Sequence, residues 1–230
     1  MNFKYSYAVS LGSSCFTRRF IEVCQMSDEY LFFDWIGSSM WAINELVQNR
    51  FEGIDQVQKY QPIVIKKSDE KKIITHKEFY LRFLHDFPPF IHARGVRLYA
   101  EPEKNHLDQV IQKYRRRADR FLNVIKSLKA ILFIRIEEEV SDRISYPKYA
   151  LKQKNELQEL FCFTEQVRKL NPELDFQVLF FSKSFETKRH EQENVFVVGH
   201  QVHLDWQNCA GELTQLVKMH SEFLAPLHKN

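Results

Sequence analysis

Cys15 stands where a short apolar stretch, Ala8-Val9-Ser10-Leu11, gives way through Gly12-Ser13-Ser14 to Phe16, Phe20, Val23 and Cys24 at helical spacing. A strand, a turn of small residues and a helix start would set the thiol beside unpaired N–H groups and the positive end of the helix dipole. That placement favours a thiolate near neutral pH. A thiolate attacks carbonyl carbon, so the pattern suits acyl transfer. The same residues also suit ordinary capping, with Ser13 or Ser14 accepting an N–H and Cys15 packed as a small apolar residue. The chemical reading needs a base and an orienting group elsewhere in the chain.

Two regions offer a base. In Phe79-Tyr80-Leu81-Arg82-Phe83-Leu84-His85-Asp86-Phe87, extended geometry would put His85 on one face with Phe79, Leu81, Phe83 and Phe87, aimed into the core or a pocket. Asp86 would then face the opposite way, unless the strand ends early before Pro88-Pro89. A lone histidine in such a row is also an ordinary core residue. The rival base is His200 or His203, with Asp205 as its partner, in the loop that follows Val195-Phe196-Val197-Val198. Asp34, set between Phe33 and Trp35, is expected to be drawn inward, where a carboxylate needs donors or a positive partner. It is a candidate orienter of the imidazole, as is Asp86, and equally a helix cap. Gly12, Ser13, Ser14, Arg116 and Arg135 are the candidate substrate-binding residues.

The elements that must position these groups follow from periodicity. A packing helix is expected after Ser38-Ser39, with Met40, Ile43, Val47 and Phe51 on one face. Ile63-Val64-Ile65 and Ile73-Ile74-Thr75 flank a lysine-rich tip and form a β-hairpin. From Asn105 to about Leu128 a long helix buries Leu107, Val110, Ile111, Tyr114, Ala118, Phe121, Leu122 and Ile125. Its basic residues Lys113, Arg115, Arg116, Arg117 and Arg120 point in several directions, so only one or two can meet a phosphate, a carboxylate or a buried aspartate. The nearly unbroken apolar runs 130–136, 176–181 and 195–198 are typical of parallel strands buried on both faces, and the helix over 157–170 is long enough for a crossover. The fold expected is α/β: a single domain over 1–230, a three-layer sandwich with a mainly parallel, Rossmann-like sheet and a β-hairpin insertion at about 60–90. Cys15, Arg135, Ser182 and the 199–206 loop would then share the carboxyl edge of the sheet, where ligands bind in open α/β folds.

Composition narrows the remaining classes. Hydrophobic content of 44%, six glycines and seven prolines exclude a disordered chain or a repeat array, and twenty phenylalanines imply an aromatic core. A net charge of +3 does not call for a polyanionic partner, and no aromatic interleaving accompanies the arginines, so nucleic-acid binding is weakly supported. The cysteines at 15, 24, 162 and 209 make no Cys-x-x-Cys pair or metal-ligand spacing, so no metal is expected and the thiols are read as free. No Gly-x-Gly-x-x-Gly or Walker pattern occurs, and no cofactor is expected. With no signal-peptide pattern and no run of eighteen apolar residues, the expectation is a cytoplasmic chain without a membrane segment, export by a receptor-read signal remaining open.

The blocks Ser10-Leu11-Gly12-Ser13-Ser14-Cys15, Phe33-Asp34-Trp35, Phe83-Leu84-His85-Asp86-Phe87, Tyr114-Arg115-Arg116-Arg117 and Leu132-Phe133-Ile134-Arg135-Ile136, in that order, resemble a domain family labelled papain-like cysteine peptidase. Phe32 stands where that family often has proline. The resemblance implies a Cys/His hydrolase with Cys15 as nucleophile and His85 as base, and a papain-like α+β fold as the alternative architecture. The Cys15 turn is also similar to the Gly-Ser-Cys-Phe-Ala motif of a family related to SGNH hydrolases, in which the nucleophile follows the first strand. The function expected is a thiol-dependent hydrolase or acyltransferase acting on a small-molecule or peptide acyl substrate. The alternatives are a binding protein for an anionic small molecule, such as a nucleotide or sugar phosphate, and a non-catalytic interaction module.

Overall fold

The computed structural model describes residues 5–66, 71–83, 85–87, 90–91, 97–98, 104–127, 129–137, 155–202 and 208–219. In chain order the first elements are β1 (Tyr7–Ser10), α1 (Cys15–Val23), β2 (Ile36–Gly37), α2 (Met40–Gln48), a single tight turn of helix (Val57–Lys59), β3 (Tyr60–Lys66) and β4 (Lys71–His76). There follow β5 (Arg82–Phe83), β6 (Phe90–Ile91), β7 (Arg97–Leu98) and α3 (Lys104–Ile125). The second half supplies β8 (Ile131–Ile136), α4 (Glu156–Leu170), β9 (Phe176–Ser182), β10 (Lys188–His190), β11 (Val195–Gly199) and α5 (Cys209–Met219).

The three apolar runs form the centre of a five-stranded sheet, ordered β1-β8-β9-β11-β10. All its pairings are parallel except that of β10, an edge strand antiparallel to β11. Strand side chains alternate between faces, and both faces are covered. Val9, Ile131, Phe133, Val178, Phe180, Val195 and Val197 pack in one cluster with α2, α3 and α4. Ala8, Leu132, Ile134, Leu179, Phe181, Phe196 and Val198 pack in the other with Phe20 and Ile21 of α1 and Ala210, Leu213 and Val217 of α5. The fold is thus α/β with helices on both faces of a mainly parallel sheet, as the sequence pattern implied. The register, with Ser10 opposite Ile134 and Gly199 opposite Ser182, brings the carboxyl ends of four strands to one edge.

A second, antiparallel sheet is ordered β2-β5-β4-β3. Its β3–β4 hairpin is the one expected from the two isoleucine-rich runs. The neighbouring expectation needs correction. Instead of one strand from Phe79 to Phe87, the chain turns at 77–79, passes through a left-handed residue at Tyr80 (φ 53°), and is extended only over Arg82–Phe83. Phe79, Leu81, Phe83 and Phe87 are still buried, but alternation is lost after Phe83 and His85 is exposed. No helix among the described residues is long and apolar enough to cross a membrane.

His76 ends β4 with no exposed surface, its ring stacked on Phe79 and its Nε2 3.3 Å from the Gly53 carbonyl oxygen. Burial lowers its pKa from 6.5 to about 4. Between those values the unfolded chain binds the proton and the folded one does not, so this contribution to stability is present above pH 6.5 and is lost as pH falls toward 4. We expect the stability of wild type relative to His76→Gln, from urea unfolding, to drop by about 3 kcal/mol between pH 7 and pH 4. A pH-independent difference would show that the ring is not held neutral.

Candidate functional site

The turn between β1 and α1 is fixed on every side. Gly12 and Ser13 both adopt left-handed backbone, with φ 66° and 78°. A Cβ at Gly12 would collide with Ser38 Oγ, so the position needs glycine for both conformation and space. Ser13 holds its strained conformation because its surroundings impose it. Its N–H donates to Ser38 Oγ at 3.4 Å, and its carbonyl accepts from Arg82 NH2 at 3.1 Å. The Gly12 N–H donates to Ser10 Oγ at 3.1 Å, and Thr17 Oγ1 donates to the Gly12 carbonyl at 2.8 Å. Ser14 is the N-cap of α1, its Oγ accepting from the Phe16 N–H at 3.3 Å.

Beneath the turn lies Arg135, without exposed surface. Its NH1 donates to the Leu11 carbonyl at 2.7 Å and the Ser38 carbonyl at 2.9 Å, while its Nε donates to Glu156 Oε1 at 2.6 Å. The expectation of Arg135 as a substrate contact is therefore corrected: the guanidinium supports the Cys15 turn from inside. Glu156, Arg82 and Ser38 were missed by the sequence reading. An arginine inside an apolar strand run does signal a buried carboxylate partner, but not which one.

Cys15 is the first residue of α1, half-buried at the carboxyl edge of the sheet. Burial pushes its thiol above the ordinary value, its own backbone N–H pulls the other way, and Cys209 at the start of α5 adds to the rise. This direction opposes the partial ionisation expected from the helix start, because desolvation of the half-buried sulfur is the larger effect. Among the described residues none accepts a hydrogen bond from the Ser14 N–H, and the Cys15 N–H is turned to its own sulfur. One donor therefore remains open at the turn, and a second lies against the sulfur itself.

The other candidates are distributed differently from the simplest triad. His85 packs edge-on against Trp35, ring centroids 5.3 Å apart, and among the described residues it makes no hydrogen bond to Cys15. The Asp86 carboxylate, expected to point away from His85, is held by Lys113 and by Tyr114 OH at 2.7 Å, and its carbonyl accepts from His106 Nε2. Asp34 is buried, with Oδ2 accepting from the Leu31 N–H at 2.7 Å and lying 3.6 Å from Arg18 NH1. Both carboxylates are engaged by these groups and not by His85. Of the basic residues on α3, Arg117 donates to the Asp34 carbonyl and lies over the rings of Tyr30 and Tyr114, whereas Arg116 is exposed.

His200 is buried at the end of β11, with its Nδ1 lacking a partner among the described residues. His203 and Asp205 lie outside the described residues. At the same edge, Glu137 accepts from Ser182 Oγ and from the N–H groups of Lys183 and Ser184, a cluster the sequence reading did not single out. No group of metal-ligating side chains occurs among the described residues.

Two outcomes follow from the buried charges. Arg135→Ala removes the guanidinium that faces the buried Glu156 carboxylate and should cost about 3–5 kcal/mol, whereas Arg135→Met combined with Glu156→Leu should recover most of that loss in chemical denaturation. Equal destabilisation in the single and double variants would refute the pairing. Burial raises the Asp34 carboxyl from 3.8 to about 6, against the Arg18 charge, the Leu31 N–H and the Arg117 charge. The unfolded carboxyl gives up its proton first, so wild-type stability falls as pH rises through that window. Relative to wild type, Asp34→Asn should gain about 3 kcal/mol between pH 4 and pH 7, and a flat difference would contradict the assignment.

No curated protein and no solved structure is significantly similar to the chain. Residues 6–184, which hold Cys15, Asp34, His85, Asp86 and Arg135, match one protein family over more than three quarters of the sequence. This chain therefore belongs to the family described as "Putative papain-like cysteine peptidase (DUF1796)".

Proposed function

We propose that the protein is a thiol-dependent hydrolase or acyltransferase in which Cys15 attacks an acyl carbonyl. The observation that carries this reading is the position of Cys15 just after a strained turn pinned by Arg135, Arg82 and Ser38, beside the Ser14 N–H, which has no acceptor among the described residues, and its own N–H, which is turned to the sulfur. Family membership supports the cysteine-hydrolase class. As the S–C bond forms, the carbonyl electron pair moves onto oxygen, and the N–H groups of Ser14 and Cys15 would donate to that oxyanion. Because burial keeps the thiol protonated, its proton leaves during the attack and passes to a histidine. His85 is the base that the family blocks imply; its ring packs on Trp35, and Asp34 and Asp86 hold the segments on either side without meeting the imidazole. The histidine then returns the proton to the departing group, and water or an acceptor nucleophile releases the acyl chain.

The test is transfer of an acetyl group from p-nitrophenyl acetate, located by peptide mass spectrometry. Acetyl should accumulate on Cys15 in the native chain and be absent from that position in Cys15→Ala, whose melting temperature should stay near that of wild type. In parallel, iodoacetamide should alkylate Cys15 with a pH midpoint above the ordinary thiol value of about 8.5. Acetylation of Cys15 only after denaturation would sink the catalytic reading and favour an anion-binding protein, whose ligand binding Cys15→Ser would leave intact.

A further inference from the structure

Gln177 interrupts an apolar row. Along β9, Leu179 and Phe181 belong to the cluster under α1 and α5, and Gln177 precedes them on the same face of the sheet with 4% of its surface exposed. A buried amide needs hydrogen-bond partners, and the Tyr5 hydroxyl, from the residues before β1, donates to its Oε1 at 2.7 Å. Arg189 of β10 lies opposite Phe196 of β11, which belongs to that cluster, so its side chain shares the face. These polar groups stand at the amino ends of the parallel strands, whereas the Cys15 turn stands at the carboxyl ends.

Tyr5, Gln177 and Arg189 line a cavity of about 290 Å³ together with Asp175, Glu191 and Asn194, and Leu174 and Phe176 supply its apolar wall. That volume is close to the lower bound of about 300 Å³ for small-molecule sites. The main chain fixes the frame. The Asp175 carbonyl accepts from the Ile131 N–H at 2.9 Å, the Asn194 carbonyl accepts from the Val178 N–H at 2.8 Å, and the Asn194 N–H donates to the Glu191 carbonyl at 3.2 Å. A ligand therefore meets groups already in place. Burial first and Asp175 second push the Tyr5 phenol up to about 12, and Arg189 pulls it back, so both charges act at a hydroxyl that stays protonated. Because that proton is given to Gln177, the phenol oxygen keeps its lone pairs for a donor. One guanidinium, two carboxylates and a phenol oxygen complement a small molecule with one carboxylate and two ammonium groups.

We propose that this cavity binds a free basic amino acid of the lysine type, because the Arg189 guanidinium, the Asp175 and Glu191 carboxylates and the buried Tyr5–Gln177 pair line one small space with an apolar wall. The ligand carboxylate pairs with Arg189, its ammonium groups pair with Asp175 and Glu191, and its methylene chain lies on Leu174 and Phe176. The site is independent of the Cys15 chemistry.

The experiment is a two-dimensional amide NMR titration of the full chain with L-lysine, with L-norleucine, which lacks the second ammonium, and with cadaverine, which lacks the carboxylate. L-lysine should give saturable shifts at the Gln177 side-chain amide and the Asn194 N–H, and the other two should bind about tenfold or more weakly. Arg189→Gln should abolish the preference for L-lysine over cadaverine, and Glu191→Gln the preference over L-norleucine. Arg189 is half-buried on an edge strand and Glu191 is exposed, so both variants should melt near wild type. The comparison of the three ligands on wild type tests the site whether or not a variant folds. No saturation with L-lysine up to about 50 mM, equal affinity for all three ligands, or shifts confined to other parts of the chain would overturn the assignment. So would an L-lysine affinity unchanged in both folded variants.

Discussion

Arg135 is the buried charge around which the Cys15 turn is built. A guanidinium without solvent needs acceptors for its donors, and here Nε and NH1 meet one carboxylate and two main-chain carbonyls, while NH2 has no partner among the described residues. Those three partners come from α4, from the end of β1 and from the residue before the N-cap of α2. One side chain thus ties both sequence-distant halves of the chain to the residues preceding Cys15. The left-handed pair Gly12-Ser13 persists because this network, with Arg82 and Ser38, leaves the backbone no relaxed alternative.

Around the same edge, the balance between burial and hydrogen bonding decides each ionisable group separately. At Cys15 burial is the larger effect, so the thiol rests protonated despite its place at a helix start. Glu137 is subject to burial as well, yet donors from Ser182, Lys183 and Ser184 together hold its carboxyl below the ordinary value. The difference is one of fixed donors: three converge on the carboxylate, whereas the sulfur has its own N–H. For chemistry at Cys15, this makes proton removal part of the reaction, and it makes the choice of histidine the central mechanistic question.

Asp34 illustrates how a residue that looks catalytic from its neighbours can be bound into the framework. The large apolar residues on both sides draw it into the core, as the sequence implies. Once there it joins the Leu31 N–H to Arg18 of α1, and its carbonyl meets Arg117 of α3. Those two guanidiniums also lie over the ring of Tyr30, at 4.4 and 5.4 Å from its centroid. The pairing of a buried acid with basic residues on α1 and α3 holds the loop before Trp35, and through it the packing of Trp35 on His85.

The sequence by itself determined the α/β class, the parallel centre of the sheet, the capped starts of α1 and α2, the β3–β4 hairpin and the place of Cys15 between strand and helix. Each of these rests on local periodicity or on residues adjacent in the chain, which is why it was legible. Single-sequence alternation failed at Phe79–Phe87, because the left-handed Tyr80 and the two-residue pairing of β5 with β2 and β4 override it. The carboxylate that meets Arg135, the groups that occupy Asp34 and Asp86, and the sign of the Cys15 shift were decided by the tertiary structure alone. Arg135 and Glu156 are separated by twenty-one positions, and Arg135 and Leu11 by 124. Desolvation, too, depends on what every other element leaves uncovered. Such quantities exist only once the chain has closed on itself.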